Sequence, residues 1–238
     1  MTTDLIIKQI RSKKTYLTVG LDTTVDKLPH HLKQKPDAVV KFNQAIIDAT
    51  LPYCVAYKIN TAFYEAMGSK GWEIMEATVD YIPDTHFKIA DAKRGDIGNT
   101  STQYAKAFFE TLHFDAITVA PYMGEDSIRP FLEYENKVTI VLGLTSNKGA
   151  ADFELLQTDS QYLYEAVFQK VSKWGSTKNL MFVAGATQAK NLQRIRGIVP
   201  EHFLLVPGVG FQGGSLKDVS DAGLNTSCGL LVNASRAI

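Results

Sequence analysis

The stretch VTIVLGL, residues 138–144, is largely apolar on both faces when it is drawn as a β-strand. A strand that is buried on both faces is typical of a parallel sheet covered by helices. Similar short runs occur at near-regular intervals on either side of it. They lie at 16–20 (YLTVG), 55–59 (VAYKI), 87–91 (FKIAD), 116–120 (AITVA), 180–184 (LMFVA), 203–206 (FLLV) and 230–233 (LLVN).

Segments with helical periodicity separate these eight predicted strands. Thr100 and Thr187 are the predicted starts of two of the helices. Strands that alternate with helices predict an α/β fold, a (β/α)8 TIM barrel, rather than a doubly wound sheet. No Gly/Ser-rich or Pro-rich linker divides the chain, so residues 1–238 are predicted to form a single domain. The sequence stops where the eighth helix of the barrel would begin, so the barrel is expected to lack that helix. The predicted helices lie at 4–13, 39–50, 71–81, 100–112, 126–134, 161–174, 187–196 and 216–222.

Composition disfavours several classes of protein. The 25 Lys and Arg residues balance the 25 Asp and Glu residues, whereas general nucleic-acid binding needs a basic surface. No apolar run approaches the roughly 18 residues that span a bilayer, and residues 1–11 do not resemble a signal peptide. Cys54 and Cys228 lie far apart in the sequence and fit a reducing compartment. We therefore expect a cytoplasmic protein that binds neither nucleic acid nor a membrane.

Charged residues follow the first three predicted strands. Functional residues of a barrel lie at the carboxyl ends of its strands and in the loops that follow. Asp22 follows the first strand, Lys58 and Asn60 belong to the second, and the third ends in Asp91 and Lys93. Because Asp91 and Lys93 are two residues apart, their side chains point to one face of an extended chain. Lys58, Asp91 and Lys93 are predicted to converge with alternating sign; a solvated ion-pair network at the barrel rim is the alternative.

A glycine-rich stretch, PGVGFQGG at 207–214, follows the seventh predicted strand. Its glycines have the G-x-G-x-x-G spacing of a dinucleotide-binding loop, but that motif needs an early βαβ unit and an acidic residue about 20 positions later. This stretch lies late in the chain, and Asn233 stands at the acidic position. The stretch and the following Ser235 and Arg236 instead fit the phosphate site of many barrels, where backbone N–H groups and a guanidinium surround the anion.

Other candidate sites give weaker signals. The five histidines lack a spacing that would place two of them on one helix face, so a surface or structural role is expected for each. The stretch SNKG at 146–149 is either a plain turn or a substrate loop at the mouth of the barrel. No P-loop, nucleophile elbow or zinc-type cluster is present in the sequence.

Several of these motifs together resemble the orotidine 5'-phosphate decarboxylase family. The family motif D-x-K-x-x-D-I/V is matched by DAKRGDI at 91–97, and the resemblance covers nearly the whole chain in order. Gly98 replaces a proline that many relatives carry, and Ala234 and Ala237 also differ from the pattern, but none of these is a charged site residue. The other matching stretches are GLD at 20–22, KIN at 58–60, the 207–214 loop and VNASR at 232–236, with VAPYMG at 119–124 and AGATQ at 184–188 pointing to the longer bacterial subgroup.

The resemblance implies that the chain removes CO2 from orotidine 5'-phosphate to give UMP, the last step of pyrimidine nucleotide synthesis, with no metal or organic cofactor. It implies that Lys93 is the proton donor, that Asp91 lies beside the substrate carboxylate, and that Lys58 and Asp96 complete the charge row. It also implies a homodimer in which Asp96 and Thr100 reach the partner's site. For substrate binding it implies Asp22 and Lys58 at the ribose hydroxyls, Ser146 at the pyrimidine, Gln212 and Arg236 at the phosphate, and Asn60, Pro207, Gly208, Gly213 and Ser235 around them.

Two alternatives remain open. One is a magnesium-dependent sugar-phosphate decarboxylase or aldolase on the same barrel. Such relatives carry a glutamate on the second strand to bind the metal, where this chain has Lys58, whose cation would repel it. The other is a non-catalytic barrel that binds a nucleotide or a partner protein, which the intact charged positions of the motif disfavour.

Overall fold

Parallel strands form the centre of the molecule in a computed structural model that describes residues 1–35, 37–185, 189–209 and 214–238. Within these residues eight strands close into a barrel in the order β1-β10-β9-β8-β5-β4-β3-β2, as predicted. A separate antiparallel hairpin is formed by β6 (Gln157–Thr158) and β7 (Gln161–Tyr162). The barrel strands are β1 (Leu17–Gly20), β2 (Ala56–Asn60), β3 (Phe87–Arg94), β4 (Ala116–Val119), β5 (Val138–Leu144), β8 (Leu180–Ala184), β9 (Leu204–Val206) and β10 (Leu230–Ala234).

Helices alternate with the barrel strands and cover their outer faces. Short 3-10 turns lie at Val25–Lys27 and Lys148–Asp152, and a π-helical turn at Ala107–Thr111 follows α6. Within the described residues no helix combines the length and apolar character needed to cross a bilayer. The helices are α1 (Thr3–Lys13), α2 (His30–Lys33), α3 (Ala38–Thr50), α4 (Ala62–Glu65), α5 (Ser69–Tyr81), α6 (Gly98–Lys106), α7 (Glu125–Leu132), α8 (Leu163–Val171), α9 (Ala189–Ile198) and α10 (Leu216–Gly223).

Two predicted helix starts are wrong. α6 begins at Gly98, so Thr100 lies inside the helix rather than before it. The helix predicted from residue 161 begins at Leu163, because Gln161 pairs in the β6–β7 hairpin and the Glu165 carboxylate accepts a hydrogen bond from the backbone N–H of Tyr162 at 2.8 Å. The start predicted at Thr187 lies outside the described residues. After β10, residues 235–238 form a turn and no helix.

The amino-terminal end of the barrel is closed by α1. Ile6 and Ile10 of this helix are buried in one cluster with Phe87, Val138 and Phe203, which lie at or just before the starts of their strands. This packing fills the bottom of the barrel with apolar side chains. The carboxyl ends of the strands are therefore the end that remains open for a functional site.

A bulge interrupts β3 where its charged residues lie. Ala90 pairs with Ile117 of β4 and Arg94 pairs with Val119, so three residues of β3 lie opposite Thr118 alone. Lys93, inside the bulge, has a φ angle of +49°, in the left-handed region that side-chain-bearing residues rarely adopt. The premise that Asp91 and Lys93 share one face of an extended chain is therefore wrong, since the backbone between them is not extended.

A smaller bulge lies in β5. Leu142 pairs with Val183 and Leu144 pairs with Ala184, so Gly143 is an extra residue in the strand. A Cβ atom at Gly143 would lie 2.2 Å from the ring of Phe168, so only glycine fits against this buried side chain of α8. The bulge changes the direction of the chain just before the loop that carries Ser146.

Candidate active site

Lys58 and Asp91 project into the upper interior of the barrel. On β2, Lys58 follows Ala56 by two residues, and on β3, Asp91 follows Ile89 by two. Ala56 and Ile89 belong to the buried apolar cluster that fills the barrel above α1. Side chains two apart on a strand share a face, so the two charged residues lie above the apolar filling. Lys58 is only 4% exposed. A buried ammonium at this level requires carboxylate partners.

Those partners form a row of alternating charge. The Lys58 Nζ atom lies 3.0 Å from Asp91 Oδ2 and 3.7 Å from Asp22 Oδ1. The Lys93 Nζ atom donates to Asp91 Oδ1 at 2.6 Å. Lys58 and Asp91 are buried or nearly so, whereas the Lys93 side chain is 48% exposed at the open end of the row. The alternative of a solvated ion-pair network at the barrel rim is therefore wrong for Lys58 and Asp91, because both side chains are inside the barrel.

The two inner members of the row hold each other in the charged form. Burial by itself raises the pKa of Asp91, but the ammonium groups of Lys58 and Lys93 outweigh it and lower the pKa to about 2. Burial lowers the pKa of Lys58, but the carboxylates of Asp91 and Asp22 outweigh it and raise the pKa above its ordinary value. Both side chains are therefore ionised at neutral pH.

Asp22 is fixed where the first and last strands of the barrel meet. The Ser235 hydroxyl, just after β10, donates to Asp22 Oδ2 at 2.9 Å. Asn233 Nδ2 donates to the same hydroxyl oxygen at 3.4 Å. A Cβ atom at Gly20 would lie 1.9 Å from Ser235 Oγ, so the close approach of this hydroxyl requires glycine at the end of β1.

Thr118 of β4 is a site residue that the sequence reasoning missed. Its hydroxyl accepts a hydrogen bond from the backbone N–H of Lys93 at 2.9 Å and donates to Asp91 Oδ1 at 3.1 Å. The side chain is fully buried and lies opposite the bulge of β3. The available signal was a hydroxyl residue inside the otherwise apolar run AITVA, at the level where the neighbouring strand becomes charged.

Two adjoining clefts share the charge row. One, of about 170 Å³, is lined by Asp22, Asn60, Pro207 and Gly208 and by the residues that follow β10. The other, of about 230 Å³, is lined by Lys93, by the start of the Ser146 loop and by apolar side chains of β5, β8 and β9. Lys58, Asp91 and Pro207 line both clefts. A ligand that fills the two clefts together therefore crosses the charges at its middle.

The loop that carries Ser146 is tied down at its first residue. The Glu154 carboxylate accepts hydrogen bonds from the backbone N–H of Thr145 at 2.7 Å and from its hydroxyl at 2.9 Å. A Cβ atom at Gly185, after β8, would lie 3.0 Å from the backbone nitrogen of Ser146. Glu154 is a second residue that the sequence reasoning missed, because its role depends on how the loop returns to the strand end.

Comparison with known proteins shows the family of the chain. Residues 15–238 match the model of a family described as "Orotidine 5'-phosphate decarboxylase / HUMPS family". The chain belongs to this family. It is 56% identical to the orotidine 5'-phosphate decarboxylase of Phocaeicola vulgatus, with 100% of this chain and 89% of that protein covered. It is 57% identical to that of Porphyromonas gingivalis, with 100% and 88% covered. The solved Leishmania donovani OMP decarboxylase has a TM-score of 0.88 at 39% identity, covering 99% of this chain and 90% of that one.

The resemblance to the orotidine 5'-phosphate decarboxylase family seen in the sequence is thus confirmed, whereas the roles of its residues remain predictions. The structure brings Asp22, Lys58, Asp91 and Lys93 together. Asn60, Pro207, Gly208, Ser235 and Arg236 line the smaller cleft, and Ser146 lines the larger one. The predicted phosphate-binding residues Gln212 and Gly213 lie outside the described residues.

Two members of the predicted orotidine 5'-phosphate decarboxylase site lie apart from both clefts. The Asp96 carboxylate accepts a hydrogen bond from the backbone N–H of Ile97 at 2.7 Å, and the Ser101 hydroxyl binds the Asp96 backbone. Thr100 is exposed on α6. Within one chain, neither residue lines the clefts that the structure describes.

Proposed function

We propose that the chain catalyses the decarboxylation of orotidine 5'-phosphate to UMP and CO2, the last step of de novo pyrimidine nucleotide synthesis, without a metal or organic cofactor. The observation that carries the proposal is the alternating row of Lys58, Asp91 and Lys93, with Asp91 and Lys58 lining two adjoining clefts. Family membership supports it, as do relatives that carry this name and match the whole of this chain.

The two clefts match the two ends of the substrate. In the smaller cleft, Gly208 offers its backbone and Arg236 a guanidinium fork, which suit a phosphate. Gln212 and Gly213, of the same glycine-rich stretch of the sequence, stay predicted ligands of this phosphate. In the larger cleft, Ser146 faces the space for the pyrimidine, beside apolar side chains. Asp22 and Lys58 then hold the ribose hydroxyls between them, with Asn60 and Ser235 beside them.

Lys93 is the proton donor in this mechanism. The bond between C6 of the pyrimidine and its carboxylate breaks, CO2 leaves, and the electron pair remains on C6. Lys93 Nζ transfers one proton to C6, which gives UMP, and the neutral amine then takes a proton back from water. The ammonium stabilises the charge that develops on C6 more strongly than it stabilises the substrate, so it lowers the barrier.

Asp91 lies beside the substrate carboxylate. Because the pKa of Asp91 is lowered to about 2, its carboxylate is charged when the substrate binds, and the two anions repel each other. The contacts made by the phosphate offset this repulsion, which disappears as CO2 leaves. Lys58 and Lys93, which hold the two oxygens of Asp91, keep this carboxylate in place.

The assay that tests the proposal follows the absorbance of the orotate ring in the presence of excess EDTA. Loss of absorbance with formation of UMP is the expected result. Turnover that requires added Mg²⁺ and a sugar phosphate would instead support the metal-dependent alternative. The position of Lys58 argues against that alternative, because its ammonium already lies between the carboxylates of Asp22 and Asp91. Binding of UMP without any turnover would support the non-catalytic barrel.

We further propose that Asp96 and Thr100 act in the site of a partner subunit in a homodimer. Asp96 lies apart from the clefts of its own chain. The side chain of Ile97, the next residue, is 61% exposed, and that of Tyr122, in the segment that follows β4, is 93% exposed. A second copy of the chain would cover these side chains and bring Asp96 to the charge row across the interface.

Mixing two inactive variants tests the shared site. Asp96→Ala and Lys93→Ala homodimers exchange subunits into hybrids that have one unaltered site and one doubly altered site. With equal amounts and full exchange, about a quarter of wild-type activity returns, since half of the dimers are hybrids with one intact site each. A monomer by light scattering, or no recovery after exchange, would contradict the shared site.

A further inference from the structure

The backbone at Lys93 needs support from elsewhere in the fold. A side-chain-bearing residue with a φ angle of +49° is in a disfavoured conformation, and such conformations persist only where surrounding contacts hold them. Glycine would relieve the strain, but it would remove the ammonium. The groups that bond to the bulge are therefore the groups that decide where the Lys93 side chain points.

The bulge leaves backbone polar groups that cannot all pair with β4, because three residues of β3 lie opposite one residue of β4. Two side chains bind these groups. The Thr118 hydroxyl accepts from the backbone N–H of Lys93 at 2.9 Å, and Arg94 Nη1 donates to the backbone carbonyl of Ala92 at 2.9 Å. The peptide between Ala92 and Lys93 is thus held from both sides, on its N–H by β4 and on its C=O by Arg94.

The guanidinium of Arg94 is itself held by three groups, one each from α4, α6 and the π-helical turn that follows α6. Its Nη2 atom forms an ion pair with the carboxylate of Glu65, the last residue of α4. Its Cζ atom lies 5.5 Å from the ring centre of Tyr104 and 5.6 Å from that of Phe108, within the range of cation–π contacts. The planar fork of arginine can bind a carbonyl and a carboxylate at the same time, which the point charge of a lysine cannot do in the same geometry.

We propose that Arg94, held by Glu65, is a positioning residue that fixes the β3 bulge and thereby directs the Lys93 ammonium at the reacting carbon. The kinetic consequence rests on the proposed decarboxylase function, whereas the effect on backbone geometry does not. Arg94 touches neither cleft, so it acts only through the conformation of Ala92 and Lys93.

The kinetic test is Arg94→Met, which keeps the apolar stem of the side chain and removes the fork. Misplacement of a reacting group by an ångström is enough for a rate loss on the order of 10²-fold, so kcat is expected to fall by about that factor. KM is expected to change by less than about 3-fold, because the groups proposed to bind phosphate and pyrimidine are untouched. A kcat in the wild-type range would overturn the proposal.

Arg129→Met is the matched control. Arg129 makes the same two kinds of contact, a hydrogen bond from Nη1 to the backbone carbonyl of Trp174 at 2.9 Å and an ion pair with Glu125, but on α7 and away from both clefts. Its kcat is expected to stay within about 2-fold of wild type. A loss equal to that of the Arg94 variant would show that removing any such bridge slows the enzyme and would also overturn the proposal.

Crystal structures of wild type and Arg94→Met provide a readout that is independent of activity. The expected change is a shift of the Lys93 φ angle to negative values and loss of the 2.6 Å contact between Lys93 Nζ and Asp91 Oδ1. Unchanged geometry at Lys93 would refute the positioning role even if kcat fell. A wild type without turnover would refute the decarboxylase function and leave this structural comparison decisive. If Arg94→Met does not fold, Glu65→Gln tests the same support, and wild-type kcat in that variant would overturn the proposal.

Discussion

Replacing Lys58 by methionine tests the charge row through the stability of the fold. The lysine is only 4% exposed, and its ammonium is the cation that lies between Asp91 and Asp22. The pKa of Asp91 falls from 3.8 to about 2 because its cations outweigh the effect of burial, which corresponds to about 2 kcal/mol of net stabilisation at neutral pH. Removing one partner of a buried pair commonly costs about 3–5 kcal/mol. Since Lys93 still pairs with Asp91, we expect Lys58→Met to lower the free energy of unfolding by about 2–4 kcal/mol at pH 7.

The loss is expected to depend on pH. In the wild type the pKa of Asp91 is lower in the folded state than in the unfolded state. Its contribution to stability is therefore complete above the unfolded pKa of about 4 and is lost as the pH falls through about 2. Without Lys58, Lys93 alone opposes the effect of burial, so the pKa of Asp91 rises and its carboxyl is protonated at a higher pH in the variant than in the wild type. The difference between the two proteins should therefore be smaller at pH 3 than at pH 7.

Urea unfolding followed by tryptophan fluorescence at the two pH values measures this difference. Lys70→Met is the control, because Lys70 also pairs with two carboxylates, those of Glu73 and Asp37, but its side chain is 61% exposed. Its effect on the free energy of unfolding is expected to be small, because exposed ion pairs contribute little to stability. A Lys58→Met loss no larger than that of the control, or one of equal size at both pH values, would refute the assignment of the row as a buried, mutually ionised group.

Three further substitutions separate the parts of the proposed site. Lys93→Ala should lower kcat at least about 10²-fold in steady-state kinetics, because it removes the proton donor, while circular dichroism shows that the variant is folded. Near-normal turnover would contradict that role. Arg236→Ala should chiefly raise KM and weaken UMP binding in calorimetry, and an unchanged kcat/KM would place the phosphate elsewhere. Gly20→Ala introduces a Cβ atom 1.9 Å from Ser235 Oγ and should lower kcat/KM about 10-fold, whereas Gly197→Ala, where a Cβ meets nothing within 4 Å, should leave it unchanged.

Most of the barrel could be predicted because buried parallel strands leave a simple trace in the sequence. Each predicted run overlaps a strand of the barrel, and β5 and β8 have the predicted bounds. The largest difference in bounds is in the third strand, since β3 continues to Arg94, three residues beyond the apolar run predicted at 87–91. The charged residues that follow Asp91 in the sequence are typical of a loop. They remain in the strand because Thr118 and Glu65 hold the bulge, and these contacts join segments that are distant in the sequence.

The site shows the same division between local and distant causes. Charge type and position at strand ends pointed to Lys58, Asp91 and Lys93. The pattern could not identify Thr118 or Glu154, which are recognisable only from the groups they bind. The predicted helix start at residue 161 was wrong for a related reason, because the β6–β7 hairpin forms through pairing that helical periodicity does not reveal.

The bond between Asp22 and Ser235 joins residues that are 213 positions apart, across the seam where β1 pairs with β10. During synthesis on the ribosome, Lys58, Asp91 and Lys93 all emerge well before this seam can close. A nascent chain that has not yet reached β10 therefore contains every charge of the row in an open sheet, but it lacks the Ser235 hydroxyl that binds Asp22. Contacts of such long range form late in folding. We therefore expect the enzymatic activity to appear in one step, when β10 pairs with β1, rather than to increase gradually as the chain is lengthened.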